Sequence, residues 1–375
     1  MPAHHDDRLR VGFDATSLLG QRTGIGHVSA AIVEQLSADP RLELRTFAVS
    51  WRGRRGLAEA VPAGVHASPR PFPARLARQT WPRAGRPRAE FWTGPVDVVH
   101  APNFVAPPTR APLLVTVHDL TFHRFPEMCT PDVLTYERHI RRAIDAGALI
   151  HATTEFVAAE VQEVFGLPSD RVVQIATGPL PILHGDPVAG RRLAGAEQYL
   201  VSLGTIEPRK NLPRLVAAFD AIAGDRPELA LVIVGPDGWG RREYDAAVAA
   251  ARHRKRIVRL GYVTYPQRAD LLAGATALAY PSIYEGFGFP PLEAMGVGIP
   301  VVAANSSALP ESLGDAALLP DPLDVDSIAD ALARVVDDET LRETLVARGR
   351  RNVTRYSWDE TARELAAVYL RLGGR

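Results

Sequence analysis

Two glutamates, Glu285 and Glu293, stand eight positions apart in the stretch 280–295, YPSIYEGFGFPPLEAM. An ionised carboxylate offers two acceptor oxygens, which suits the vicinal hydroxyls of a ribose or a sugar ring. Between the two, Gly286 and Gly288 carry no side chain to shield the backbone N–H groups, so a ligand can approach the main chain closely. Pro290 and Pro291 fit the opening of a helix. That reading puts Glu293 in the first helical turn, where the helix dipole favours a carboxylate and the free N–H groups favour anionic or hydroxyl-rich ligands. Taken singly, Glu293 is no more than a dipole complement and Glu285 a solvated loop acid.

A second cluster is Glu207, Pro208, Arg209, Lys210 and Asn211, directly after the apolar run that ends at Gly204 and before a helix expected to open at Leu212. A planar guanidinium beside a mobile ammonium at a helix start makes a clamp for a pyrophosphate. In the first half, Thr23-Gly24-Ile25-Gly26-His27 follows an apolar run, and its glycines allow close approach of a ligand. The spacing is not that of a dinucleotide fingerprint. His118 and Asp119 end another run, and a histidine there can bond a sugar hydroxyl or move a proton near neutrality. His100 and His151 hold comparable positions and are read as structural. Asp324 and Asp326 form an Asp-x-Asp pair, but a helical pattern over 327–336 makes Asp326 an N-cap, and no metal is expected there.

These residues need elements to hold them. Apolar runs at 10–14, 42–49, 96–100, 113–118, 148–152 and 172–176, and again at 199–204, 229–235, 257–263, 275–281 and 299–304, alternate with helix-length amphipathic segments. That alternation is the signature of parallel sheets covered by crossover helices. It predicts an α/β chain of two doubly wound, Rossmann-like domains, 1–184 and 185–357, with the boundary in the Pro- and Gly-rich segment 178–198. A terminal helix, 358–372, starts after Ser357 as its N-cap. In such domains ligands sit at the carboxyl ends of strands, where each of the clusters above falls.

At 375 residues the chain exceeds what one core serves. Its 43 Lys and Arg against 43 Asp and Glu give a formal charge of zero, which leaves nothing to suggest nucleic acid as an obligate partner. Cys129 is the single cysteine, so neither an internal disulfide nor a cysteine metal cage can form. The polar start, with His4, His5, Asp6 and Asp7, lacks a secretory apolar stretch, and no run approaches the roughly 20 apolar residues that span a bilayer. The expected location is cytoplasmic, with peripheral contact at the inner membrane face as an option. The option comes from the segment 51–92, which carries nine arginines, three tryptophans and several prolines. It reads either as a lipid or phosphate dock or as a long solvated loop.

Together these segments resemble the family-four glycosyltransferases, retaining enzymes of the GT-B fold that include many mannosyl- and rhamnosyltransferases. The resemblance runs from Gly24-Ile25-Gly26 through Val117-His118-Asp119-Leu120, Gly204 and 207–211 to 281–288 and 292–295, and on to Pro310 and Glu311. The two glutamates match the family's Glu-x-seven-Glu signature. It departs at His27 and at Ala176-Thr177-Gly178-Pro179, both on the acceptor side. The resemblance implies a nucleotide-diphosphate sugar as donor, a hydroxyl acceptor, no cofactor and no metal. It implies that Arg209 and Lys210 grip the diphosphate and that Glu293 binds the ribose. Glu285 and the amides of Phe287 and Gly288 would hold the sugar, His118 would lie near the anomeric carbon, and the Gly26 N–H would approach the phosphate, with Gly24 and Gly204 in the same site. Transfer with retention, of a mannose or rhamnose from a guanosine or deoxythymidine diphosphate, follows from the same resemblance. A sugar phosphorylase, a 2-epimerase or a silent sugar-nucleotide binder would use the same architecture.

Overall fold

Runs rich in Val, Ile and Leu bury both faces of a parallel sheet, and the computed structural model shows them doing so; it describes residues 7–20, 24–179 and 184–374. Thr23, the N-terminal residues 1–6 and the boundary residues 180–183 lie outside the described residues. The first sheet has seven parallel strands, β1 (Leu9–Asp14), β2 (Leu42–Phe47), β3 (His66–Ala67), β4 (Val98–Ala101), β5 (Leu113–Val117), β6 (Leu149–Ala152) and β7 (Val172–Gln174), in the order β3-β2-β1-β4-β5-β6-β7. The second has five, β8 (Gln198–Leu203), β9 (Leu229–Val234), β10 (Ile257–Gly261), β11 (Ala277–Tyr280) and β12 (Val301–Ala303), in the order β10-β9-β8-β11-β12. Each apolar run expected as a strand is one, and β3 is a short addition at the sheet edge.

Strand β9 illustrates the packing. Ala230, Val232 and Val234 join one apolar cluster with Tyr199, Val201 and Leu203, while Leu229, Leu231 and Ile233 join another with Phe219 and Leu332. Successive side chains point to opposite faces, so each face of the sheet is dry. Each sheet also has a switch point, where the chain leaves neighbouring strands in opposite directions: β1 and β4 in the first, β8 and β11 in the second.

By its contacts the chain divides into two units, one of residues 1–124, 131–178 and 357–375, the other of 125–130 and 179–356. The short segment 125–130 belongs to the second unit through the Phe125 ring, 5.6 Å from that of Tyr284, and the Met128 carbonyl, which accepts from the Trp239 indole at 2.8 Å. The helix Trp358–Leu372 is capped by Ser357, as expected, and belongs to the first unit. There Tyr369, fully buried, bonds His100 Nδ1 at 2.6 Å, and His100 Nε2 continues through Thr116 to His151 and the Ile175 carbonyl. Burial holds both histidines far below their ordinary range, so they are neutral members of a closed hydrogen-bond chain.

Two expectations are corrected. The arginine-rich segment is not a long solvated loop: it folds as the helix Ala74–Ala84, shorter helical turns and β3, with Trp81 and Trp92 buried and Trp92 stacked 5.3 Å from Phe47. Trp81 and Trp92 find a core, while Trp51 and Phe91 stay exposed. At the Asp-x-Asp pair the cap is Asp324, not Asp326: its side chain accepts from the Asp326 N–H at 2.9 Å, and the helix runs Val325–Asp337. Among the described residues no helix is long and apolar enough to cross a membrane.

Candidate active site

The second unit gathers its chemistry at the β8/β11 switch point. After β8 the chain passes Gly204, makes a short helical turn at Pro208–Lys210, and takes Asn211 into the left-handed region at φ 59° before the helix Leu212–Ala223. Asn211 fixes the loops around it: its Nδ2 donates to the carbonyls of Pro281 at 3.0 Å and Pro322 at 2.7 Å. The Ile283 N–H donates to the Arg209 carbonyl at 2.8 Å, which stitches the loop after β8 to the loop after β11.

Glu285 is the hub of this cluster. Its Oε1 accepts from Lys210 Nζ at 2.6 Å, from the Tyr280 hydroxyl at 2.9 Å and from Arg209 at 2.8 Å. Oε2 accepts no hydrogen bond among the described residues. Ser307, at φ 52°, accepts the Glu285 N–H at 2.8 Å and so holds the backbone in place. Burial by itself would raise the Glu285 carboxyl, but the Arg209 and Lys210 cations override it and hold it down at about 2. The ammonium of Lys210 is lowered, first by burial and then by Arg209, with Glu285 and Glu207 working against that. The two partners differ because Glu285 faces two cations, whereas Lys210 faces a cation as well as its anions. The pair is therefore charged, with the carboxylate the better compensated partner. Arg209 also reaches Glu207 at 2.8 Å, and Lys210 sits 4.7 Å from the centre of the Tyr280 ring. Nothing in the spacing of Tyr280 or Asn211 marks either as part of the site. Only the fold shows that both touch the cluster.

Gly204 lies against the same lysine. A Cβ built there would stand 3.1 Å from Lys210 Cε, at a φ of +147° that side chains rarely adopt. Gly204→Ala is expected to cost about 1–3 kcal/mol through backbone strain and to displace Lys210. A lowered melting temperature together with reduced turnover would show this, and unchanged values of both would rule it out.

The expectation for Glu293 needs correction. Gly288, at φ 98°, caps the helix Phe289–Val297, which starts one residue before Pro290. Glu293 is then the fifth helical residue and lies in the second turn, beyond the free N–H groups. It is buried and paired with Arg268, from the helix Tyr265–Gly274. Burial raises its carboxyl, and Arg268 only partly offsets this. No spacing in the sequence links Arg268 to Glu293, because the two come from separate crossover helices. Phe287 is a core side chain, 4.8 Å from the ring of Phe289 and 5.3 Å from that of Tyr356, so only its backbone is available to a ligand. Arg209, Lys210, Glu285 and Gly204 are thus brought together, while Glu293 stands apart from them with its own cation.

Matches to known proteins follow this division. The model described as "Glycosyltransferase Family 4" covers residues 23–178, and that described as "Glycosyl transferases group 1" covers 190–352. The O-antigen chain mannosyltransferase B of Escherichia coli is 32% identical over 283 residues, covering 72% of this chain and 74% of the relative. The chain belongs to the family-four glycosyltransferases. The serotype-specific mannosyltransferase WbdA of Escherichia coli is a longer relative, 27% identical, of which the match covers 29%. Among solved structures, that of Anabaena HepE in complex with UDP and glucose superposes with a TM-score of 0.73 over 96% of this chain and 99% of the other, at 18% identity. That likeness is one of fold, the GT-B arrangement of two parallel-sheet α/β domains.

In this glycosyltransferase the first unit carries the remaining expected residues. Gly24 opens the helix Gly24–Ser37 and Gly26 is its third residue, so the Gly26 N–H is among those with no partner inside the helix. His118 follows β5, and its Nε2–H donates to the Pro102 carbonyl at 2.8 Å, with the ring edge-on to Phe104. A carbonyl can only accept, so the proton sits on Nε2 and leaves Nδ1 as the acceptor of the neutral ring. Burial lowers its basicity further. Asp119 turns its carboxylate back on the Thr121 N–H at 3.0 Å and serves the local turn.

Proposed function

We propose that this glycosyltransferase moves a hexose or deoxyhexose, mannose or rhamnose, from a nucleotide-diphosphate sugar to a hydroxyl acceptor with retention and without a metal. The observation that carries the reading is the charged cluster of Arg209, Lys210 and Glu285 at the β8/β11 switch point. Strand ends at such points bind ligands. Lys210 uses its charge on Glu285 and Tyr280 and keeps one donor, and Arg209 brings a fixed fork. These donors favour the charge that develops on a departing diphosphate. The free Oε2 of Glu285 suits a hydroxyl of the sugar. The departing diphosphate serves as the base for the incoming hydroxyl, which leaves the new bond on the face of the old one. His118 Nδ1 accepts from a sugar hydroxyl.

A thermal-shift screen with guanosine, uridine, adenosine and deoxythymidine diphosphates and their sugars, in chelator, tests the reading. A ligand at 100 times its Kd stabilises by about 2.7 kcal/mol. One base is expected to give that shift without metal and to lose it in Arg209→Ala. Release of free nucleoside diphosphate only when an acceptor is present, with an unchanged anomeric configuration by NMR, separates transfer from epimerisation. A shift by none of the nucleotides would refute the donor site.

A further inference from the structure

The switch point of the first sheet holds a chamber that the donor reading leaves unused. Asp14 ends β1, Thr16 and Ser17 follow it, and Pro102 and Asn103 follow β4; with Tyr136 they line a pocket of ≈ 140 Å³. Val49, Trp81 and Val105 line it as well, and its polar groups are only partly satisfied. Asp14 Oδ1 accepts from the Thr16 N–H at 2.9 Å and from its hydroxyl at 2.5 Å, while Oδ2 has no partner among the described residues. Asn103 Oδ1 is buried and has no hydrogen-bond partner among them. A buried acceptor left open in this way costs free energy unless a ligand or water satisfies it.

Arg78 and Ala74 line this chamber and also the groove in front of it, of ≈ 770 Å³, between the helices Ala74–Ala84 and Tyr136–Asp145. Arg75, Arg78, Arg83 and Arg138 face the groove with Asp132 as the one acid, and Asp132 pairs with Arg78 at 3.0 Å. The buried His139 lines it too, and its Nδ1 is without a partner among the described residues. Burial first, and then the charges of Arg142, Arg138 and Arg78, push this imidazole down to about 4. Four guanidiniums against one carboxylate is an arrangement that phosphate oxygens fit. Both spaces lie within the first unit.

We propose that chamber and groove form one acceptor site for a phosphate-bearing sugar: the sugar in the chamber, against Asp14 and Asn103, and its phosphate or diphosphate on Arg75, Arg78 and Arg138. The acceptor role rests on the transferase reading, but anion binding by the groove does not. The phosphate can be that of a soluble sugar phosphate or of a lipid-linked saccharide, and the probes below tell them apart.

Titration calorimetry with inorganic pyrophosphate on the full chain is the first arm. The variant Arg75→Gln/Arg138→Gln changes only exposed side chains and is expected to lose one binding event, which Arg209→Ala retains. A binding event lost in Arg209→Ala and untouched in Arg75→Gln/Arg138→Gln would overturn the groove while sparing the donor site. Loss in the groove variant with no nucleotide bound anywhere would leave the groove standing and remove the donor reading. The second arm compares mannose 1-phosphate with a short-chain prenyl diphosphate mannose. The groove variant is expected to raise KM for whichever is used at least 10-fold, with KM for the donor unchanged, and the preferred probe names the source. Asn103→Ala is expected to weaken the sugar-bearing probe and not pyrophosphate. If the wild-type chain binds neither probe but sediments with phosphatidylglycerol vesicles, the segment is a membrane contact and the acceptor site is refuted.

Discussion

Glu285→Leu is expected to lower the melting temperature of the second unit sharply and to abolish turnover, while Lys210→Met/Glu285→Leu regains most of the stability and none of the turnover. The reason is that the pair is buried, with about a tenth of each side chain exposed. Removing one partner leaves the other charge in a dry site, at a cost of about 3–5 kcal/mol, whereas replacing both by apolar groups is often near neutral. For a unit of this size that is roughly 6–20 °C. Turnover is not expected to return, because on the proposed reading Lys210 supplies positive charge where negative charge develops, an effect of about 10²–10³ in kcat for a single donor. Thermal melts and single-turnover rates of the three proteins decide the matter: a double variant as unstable as the single one would mean that the bonds of Glu285 to Arg209 and Tyr280 outweigh its pairing with Lys210. The same glutamate sets an acid limit. Its folded value, about 2, lies below the unfolded value of 4.5, so its stabilising contribution is complete above pH 4.5 and is lost as the pH falls toward 2. Glu285→Gln is expected to flatten the acid arm of the stability curve in that window.

The second large effect concerns Glu293. Glu293→Gln is expected to raise KM for the donor about 10- to 100-fold, from the weakening of bonds worth about 1.5–3 kcal/mol each to a charged acceptor, with kcat little changed. The binding energy is uniform, being present in ground and transition states alike. Arg268 already holds this carboxylate, so on the proposed reading a ribose would share it, and Arg268→Ala is expected to alter donor affinity although no motif contains it. Equal donor affinity in Glu293→Gln and wild type would remove Glu293 from the donor site.

Much of this architecture is written in short-range pattern. Runs such as 229–234, LALVIV, fit a sheet covered on both faces, and the ends of such strands single out Arg209, Lys210 and Glu285. Errors arose where a local rule met a competing local geometry. Glu293 falls one residue later in the helix, in the second turn, because the helix starts at Phe289 after the left-handed Gly288 and not at the proline pair. Asp326 lost the cap to Asp324, which reaches forward two residues. In the segment 51–92 the arginines hid the apolar spacing of Ala77 and Trp81, since composition averages over faces that a helix separates. The Glu293–Arg268 pairing has no trace in one dimension.

The helix Trp358–Leu372 gives the order of synthesis a role. It completes the first unit, through Tyr369 and His100, yet all 178 residues of 179–356 are made before it. At about 5–20 residues per second, the first unit waits on the order of 10–35 s on the ribosome with the surface of β1 and the helix Gly24–Ser37 uncovered. Domain by domain, from the amino end, is the usual order of birth; here the unit begun first is the last to be finished.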